Sequence, residues 1–503
     1  MSENAEKSLS KFIKGSGIVL IGLIISKISA FSYRIPIARV LGKSQFGLIS
    51  LGVGIMTLLS TVVLFGFEEG ITRKTSIYKG KNEYKKIKKL FFTGASFTVS
   101  FSLMMSFLTF TFSDWISKYI LHTPKLTPVL KIFSIGIPLI CVFRLLISTM
   151  RGIQRMDYRL YMRGMVVKLG RLITITGILI IGGSLLGTSI AYIIPLPIAI
   201  FLSLILLRNY LLPKINRNVL SMTLGKEILI YSLPILFSGI AWKLLGWVDS
   251  FMLAFYKSSS VVGLYNVARP VAGILPVGMA TTMLLPVLSE KYGQKDKKTM
   301  NEVMKTITRW ILIFSLSGTV GLILLSKNLI LFLFGSEFLR ASQPLIILAI
   351  GYLIFYPFLT SRSLLKTIGK TKLLSFIYFI VLGSNILLNL FLIPRFGLEG
   401  AALATSISMI LLGIIPGIVT LKKIGFDYFS FDEIEKTLLF FIISVTIIIL
   451  PYYFLFTHKY LFINLSIWVL FIISFFLLHL IMSGYTEKDR LLINHMKKIL
   501  RID

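Results

Sequence analysis

The sequence predicts an all-α polytopic membrane protein of about 14 transmembrane helices: two six-helix bundles related by pseudo-two-fold symmetry, plus two C-terminal helices. Three observations predict it. Apolar runs long enough to cross about 30 Å of hydrocarbon recur from one end of the chain to the other. Charged side chains make up only 15% of the 503 residues and gather between those runs. The first six runs also resemble the next six. With 55% hydrophobic residues and a mean hydropathy of +0.84, the composition is far from that of a soluble domain. Lipid offers the backbone no hydrogen bonds, so runs of this length must be helices that satisfy their own backbone groups.

The expected spans are 16–40, 45–66, 90–112, 128–150, 163–183, 186–207, 227–255, 261–288, 306–326, 341–361, 371–393, 398–420, 437–456 and 461–483. Short cytoplasmic loops carry the Lys and Arg excess of membrane proteins. Here most of the 54 cationic residues fall at the two ends and in the even-numbered loops, which puts both termini in the cytoplasm. The formal charge of +33 therefore reads as membrane topology, not as a nucleic-acid interface. The densest loops, "RKTSIYKGKNEYKKIKK" (73–89) and "KYGQKDKKTMNEVMK" (291–305), read as anchors near anionic headgroups. Cys141 alone can form neither an intrachain disulfide nor a thiolate cluster.

A shift of 216 residues places Lys27 on Lys243, Ala38 on Ala254, Gly47-Leu48 on Gly263-Leu264, Lys79 on Lys295, Lys81 on Lys297 and Lys89 on Lys305. The offset then drifts to 215, where Arg151 and Arg155 meet Lys366 and Lys370. Six helices is an even number, so the two halves share one orientation, as in transporters whose substrate site lies between parallel repeats near the midplane. The expected organisation is a cytoplasmic interfacial segment (1–15), an N-terminal bundle (16–210), a cytoplasmic linker (211–226), a C-terminal bundle (227–422), helices 13 and 14 (437–483) and a cytoplasmic amphipathic tail (484–503). "SLSKFIKGSG" and "TEKDRLLINHMKKILRI" read as interfacial anchors.

Setting aside those at the span ends, about seven cations remain within the spans, namely Lys27, Arg34, Arg144, Lys168, Arg171, Lys243 and Arg269. At about 3 kcal/mol each they would be too costly facing lipid, so they must face water, counter-ions or a ligand. Lys27 and Arg34 are seven apart and Lys168 and Arg171 three apart, spacings that share a helix face. Arg34, Arg144 and Lys168 are close enough to a membrane surface to snorkel. Lys27 and Lys243, mid-span and related by the repeat, are expected to line a hydrated cavity with Arg269, which precedes Pro270.

Asp249 is the clearest acid within a span; it reads either as a counter-ion to Lys243 or Arg269 or as a proton or sodium site for coupling. Trp242, Gly246 and Asp249 follow i, i+4, i+7 spacing and would form one wall of helix 7. Glu68 and Glu69 stand near Arg73 at helical spacing and read as a surface ion pair. Pro138, Pro195 and Pro270 are among the prolines placed to kink their helices. Asn385 and Asn389, one turn apart, read as sugar ligands or as bonds to a neighbouring helix. No metal-binding, nucleotide-binding or nucleophile-elbow motif occurs, and the four histidines are scattered, so the expectation is a protein that is not an enzyme and has no cofactor or metal.

The stretches "WVDSFMLAFYKSSSVVGLYNVARPVAGILPVGMATTMLLPVLSEKYGQKD" (247–296), "ARVLGKSQFGLISLGVG" (38–54) and "STMRGIQRMDYRLYMRG" (148–164) resemble the polysaccharide-transporter and oligosaccharide-flippase family. That family belongs to the multidrug, oligosaccharidyl-lipid and polysaccharide exporter superfamily. The resemblance implies a twelve-helix core of two bundles around a central cavity, and two further helices that in a relative form a groove for a lipid tail. It also implies cavity cations that meet lipid pyrophosphates; Lys27 and Arg269 fall on helices that contribute such charges.

The resulting expectation is a flippase in the plasma membrane. It would translocate a polyprenyl-(di)phosphate-linked oligosaccharide from the cytoplasmic to the outer leaflet by alternating access through a cationic cavity. Its partners would be that glycolipid, membrane lipids and a coupling H+ or Na+, with no nucleic acid, and it would act as a monomer. The competing reading is an ion-coupled multidrug or organic-cation antiporter, which the excess of buried cations over acids disfavours. A membrane glycosyltransferase would need an acidic metal-binding pair on an outer loop, and the sequence offers none.

Overall fold

The computed structural model describes residues 31–211, 221–275 and 277–427, with the isolated positions 435, 439 and 442. Helices make up most of these residues, no strand occurs among them, and seven helices are long and apolar enough to cross a membrane. The segment 1–15, most of 211–226, nearly all of 437–483 and the tail 484–503 lie outside the described residues.

The described chain begins with α1 (Arg34–Val63), which merges the first two predicted spans across a turn at Gly42, where φ is 73°. Two further positive-φ residues, Phe65 and Gly66, separate it from α2 (Phe67–Gly80). Then come α3 (Tyr84–Thr111) and α4 (Thr127–Gly152). The fifth predicted span enters through a π-helical segment, Leu160–Val166, that continues into α5 (Val167–Ile180). The sixth is divided at Pro195 into α6 (Leu185–Ile193) and α7 (Pro195–Leu206).

The seventh span is broken as well. α8 (Met222–Leu245) ends at Gly246 and Trp247, and α9 (Val248–Tyr256) restarts with Asp249 in its first turn. The i, i+4, i+7 wall of Trp242, Gly246 and Asp249 therefore does not form: Trp242 is exposed and Asp249 fully buried. The break lets the Trp247 ring lie on Gly54 of α1, where a Cβ would stand 2.6 Å from the ring. α10 (Ser259–Ala272) and α11 (Gly278–Gly293) divide the eighth span. α12 (Lys297–Leu324), α13 (Ser326–Phe334), α14 (Ser342–Phe355) and α15 (Leu359–Thr367) follow. The eleventh and twelfth spans form α16 (Thr371–Ile418), which turns at Gly397.

The chain divides into two compact units. One runs through α1–α9 to Asn266 and takes in Asn389–Leu398; the other holds Val267–Leu388 and the chain from Glu399 on.

The internal repeat is legible in the backbone. Left-handed residues recur at Asn82 and Lys295, at His122 and Gly335, at Gln154 and Gly369, and at Gly182 and Gly397. The last two pairs keep the offset of 215 that the sequence suggests for this region, whereas the first two are 213 apart. A lysine-rich loop matches itself at several offsets, but a left-handed turn fixes one.

Three kinking prolines show how the helices tolerate them. A proline cannot donate to the carbonyl four residues back, which in lipid must find another donor. Ser106 of α3 donates to the Ser134 carbonyl freed by Pro138 (2.8 Å). Thr174 of α5 donates to the Ala191 carbonyl freed by Pro195 (2.8 Å). Arg34 Nη1 reaches the Asn266 carbonyl freed by Pro270 (3.4 Å).

Candidate functional site

α2 and α4 are fastened along their length. The Glu68 carboxylate accepts from Arg144 Nε (2.9 Å) and Nη2 (2.6 Å), while Arg144 Nη1 donates to the hydroxyls of Ser60 and Thr61, each at 3.2 Å. Glu69 accepts from Arg151 Nη1 at 2.9 Å and Nη2 at 3.3 Å. Further along α2, Thr72, Ser76 and Lys79 donate to the carbonyls of Ser148, Gly152 and Ile153, which lie at the end of α4 where helical donors run out. The two glutamates thus pair across to α4, a relation that spacing along α2 toward Arg73 could not display. The Arg144–Glu68 pair is half-buried, with 21% and 27% of each side chain exposed, so its two-point geometry is screened less than a surface pair's.

This fork is one end of a longer cationic strip within the same unit. Lys243 of α8 lies in the field of Arg144, Arg163 and Glu68. Arg163, exposed on the π-helical segment, stands near Arg144, Arg151 and Glu68 and also near Lys168. Arg159, one turn earlier, adjoins Arg151, Arg163 and both glutamates. From Lys168 the strip passes to Arg171 and Tyr33. Arg171 is buried, donates from Nε to the Tyr192 carbonyl at 3.1 Å and stacks 3.8 Å over the Tyr192 ring. Tyr33 links Arg34, Arg171 and Tyr192. Arg34, Arg171, Lys168, Arg163, Arg159, Arg151, Arg144 and Lys243 thus lie within electrostatic reach of one another in a chain, with Glu68 and Glu69 among them. Such a run of cations in a helical bundle favours an anionic group.

Of the predicted cations, the structure brings together Arg34, Arg144, Lys168, Arg171 and Lys243. Arg269 belongs to the other unit, half-buried on α10. Lys27 lies outside the described residues. Sequence reasoning missed Arg159 and Arg163: Arg159 falls in the expected loop 151–162, and Arg163 stands at the first residue of the expected span 163–183. The signal was present: Arg159 and Arg163 are four residues apart on what the structure shows to be helix.

Asp249 forms a separate polar centre in the same unit. Its carboxylate accepts from the Tyr265 hydroxyl of α10 at 3.0 Å and from Asn389 Nδ2 of α16 at 2.7 Å, and the residue is 0% exposed. Next to it, Asn266 donates to the Ser250 hydroxyl at 2.9 Å. Asn389 thus makes the interhelical bond that was one of its two predicted roles.

A multi-pass helical bundle with broken spans, proline-freed carbonyls and interior cations is the build of a membrane transport protein. Residues 12–291, more than half of the chain, match the family model described as polysaccharide biosynthesis protein, and the chain belongs to that family. Residues 234–391 also match the MatE family model. The sequence is 22% identical to lipid II flippase MurJ of Bacillus subtilis, covering 86% of this chain and 87% of that protein. It is 32% identical to the probable flippase AglR of Haloferax volcanii over 35% of this chain and 38% of that one. Among solved structures it shares the fold of lipid II flippase MurJ in an inward closed conformation, with a TM-score of 0.75 at 20% identity, covering 91% of this chain and 97% of that one.

Proposed function

We propose that this protein is a flippase for a polyprenyl-(di)phosphate-linked oligosaccharide, moving it from the cytoplasmic to the outer leaflet of the plasma membrane without chemical change. The observation that carries the reading is the run of cations from Arg34 through Arg171, Lys168, Arg163 and Arg144 to Lys243, each within electrostatic reach of the next. Lys27 and Arg269 are further candidates for phosphate binding on the sequence alone. A phosphate head needs a polar route through hydrocarbon, while its polyprenyl tail stays in lipid; alternating access by the two repeats supplies that route. The flippase names among the relatives support the same class of cargo.

Asp249 is the coupling-ion candidate, a buried carboxylate that accepts from Tyr265 and Asn389 and would be the site of an H+ or Na+. Both termini face the cytoplasm, the chain acts as a monomer, and no cofactor takes part.

The test is transfer of a fluorescent polyprenyl-diphosphate glycan across reconstituted vesicles. Lys27→Ala with Lys243→Ala, and separately Arg163→Gln, are expected to abolish transfer in protein that elutes as the folded species. Undiminished transfer in both would reject the reading. The multidrug alternative, favoured by the MatE match, predicts instead tight binding of cationic dyes that depends on Asp249.

A further inference from the structure

α3 and α4 are both of membrane length, so the chain between them turns back at a membrane face. About 20 residues cross the hydrocarbon; counted from Leu90, where the lysines of α3 end, they run out near Phe110. The connection that follows is helical: Ser113–Trp115 leads into a π-helical segment, Ile116–Ile120. It has two sides. Ser113, Ser117 and Leu121, spaced four apart, are buried, while Phe112, Trp115 and Tyr119 are more than half exposed. Asp114 and Lys118 pair at 3.7 Å beside that aromatic stripe. The segment is also held in place. Asp114 accepts from the Thr127 hydroxyl at the start of α4 (3.0 Å), and the Thr123 amide donates to the Ser117 carbonyl (2.7 Å). Two other chain reversals in the same unit meet there. His122 packs on Phe255 at the end of α9, with ring centroids 4.6 Å apart and Nδ1 3.3 Å from the Phe255 carbonyl oxygen. Just beyond, Lys257 donates to the Pro394 carbonyl (3.1 Å), close to the turn at Gly397. Reversals from α3–α4, α9–α10 and α16 gathered at one end mark that end as a membrane face.

We propose that Phe112–Ile120 is an interfacial anchor: it lies in the headgroup region of the leaflet opposite the basic loop 73–89 and inserts Phe112, Trp115 and Tyr119 at the boundary with the acyl chains. The partner is a phospholipid surface. Residue type argues for it, since Trp and Tyr collect at membrane interfaces because one end of each is apolar and the other polar. Continuity argues for it too: Phe107 and Phe110, exposed on membrane-length α3, lead up to exposed Phe112. Lys118, beside the stripe, has a stem long enough to carry its ammonium to the phosphates. This placement requires only a chain that spans the membrane and is independent of what that chain carries.

The native cysteine, Cys141, is 0% exposed, so a spin label goes to an introduced one. The experiment labels the full-length protein carrying Trp115→Cys, Tyr119→Cys or Lys118→Cys and reconstitutes it in vesicles of phosphatidylethanolamine and phosphatidylglycerol. Paramagnetic resonance then reads collision with oxygen, which partitions into lipid, and with a water-soluble nickel chelate. Labels at positions 115 and 119 are expected to show a higher oxygen-to-nickel ratio than the label at 118. Equal ratios at the three positions would overturn the proposal. So would dipolar broadening at position 119 that vanishes on dilution with unlabelled protein, since a second copy of the chain would then cover the stripe. The unmutated protein gives a second readout: a phospholipid with a diazirine near its ester should attach to Trp115 or Tyr119 on illumination. Attachment confined to residues before Phe112 would equally overturn the anchor.

Discussion

Gly47 of α1 and Gly263 of α10, the pair that the 216-residue repeat superimposes, pack against each other with their backbones in contact. A Cβ on Gly47 would overlap the Ser259 carbonyl oxygen, and one on Gly263 would overlap the Lys43 carbonyl oxygen. Ser259 stands to Gly263 as Lys43 stands to Gly47, so the contact is reciprocal, as a local two-fold axis between the glycines requires. The hydroxyls of Ser44 and Ser259 lie 3.0 Å apart beside it.

Because the obstruction on each side is backbone, it cannot rotate away. Gly47→Ala and Gly263→Ala are expected to cost similar amounts, on the order of 1 to 3 kcal/mol, read as a lowered thermal midpoint in detergent. Ser44→Cys with Ser259→Cys should form a disulfide under mild oxidation; cysteines that stay reduced while the protein remains folded would show that the two helices do not meet this way.

The Arg144–Glu68 fork should behave as a unit. Removing Glu68 takes the carboxylate from a half-buried guanidinium and leaves it the hydroxyls of Ser60 and Thr61. Glu68→Gln and Arg144→Met are each expected to lower stability, and a double-mutant cycle should return a coupling of about 1 to 3 kcal/mol. Additive losses would mean the two side chains do not share their interaction.

At Asp249 the expected signature is different. Two donors converge on one carboxylate. Asp249→Asn replaces one accepting oxygen with a donating amide, which then opposes either Tyr265 or Asn389. The cost should be about 1 to 3 kcal/mol, and any dependence of transport on a sodium or proton gradient should vanish with it. Gradient-dependent transport in Asp249→Asn would remove this residue from coupling.

Asp296 caps α12, accepting from the Thr299 amide at 3.0 Å. That backbone N–H holds its carboxyl below the usual carboxylate range. A carboxyl more acidic in the folded than in the unfolded chain stabilises the fold above its unfolded pKa, near 4, and that contribution is lost as pH falls through the lower folded value. Protection of the Thr299 amide from hydrogen exchange should therefore decline below about pH 4 in the wild type. In Asp296→Asn, which still caps but does not titrate, it should not. Asp296→Ala should lose about 1 kcal/mol at neutral pH.

Much of the architecture was legible because bilayer physics leaves few options. Hydropathy located the spans, and the interior cations identified themselves by their cost. What spacing could not convey was where a helix stops obeying its period. The break at Gly246 and Trp247 separates Trp242 from Asp249, and the helical run from Met156 through the π turn takes Arg159 out of an expected loop and puts it one turn from Arg163. Partners across helices were equally hidden: nothing in the order of residues pairs Glu68 with Arg144 rather than with Arg73.

By itself the sequence determined an all-helical chain that crosses a membrane many times, an internal duplication, and a surplus of positive charge at depth. These follow from composition and period, which are properties of single helices. The tertiary structure alone decided which offset the repeat keeps at each turn, which carbonyls the prolines release and which side chains serve them, and how Arg163 joins Lys168 to Arg144 and Lys243. Those are relations between helices. They depend on packing at distances of a few ångströms, and a one-dimensional pattern contains no such distances.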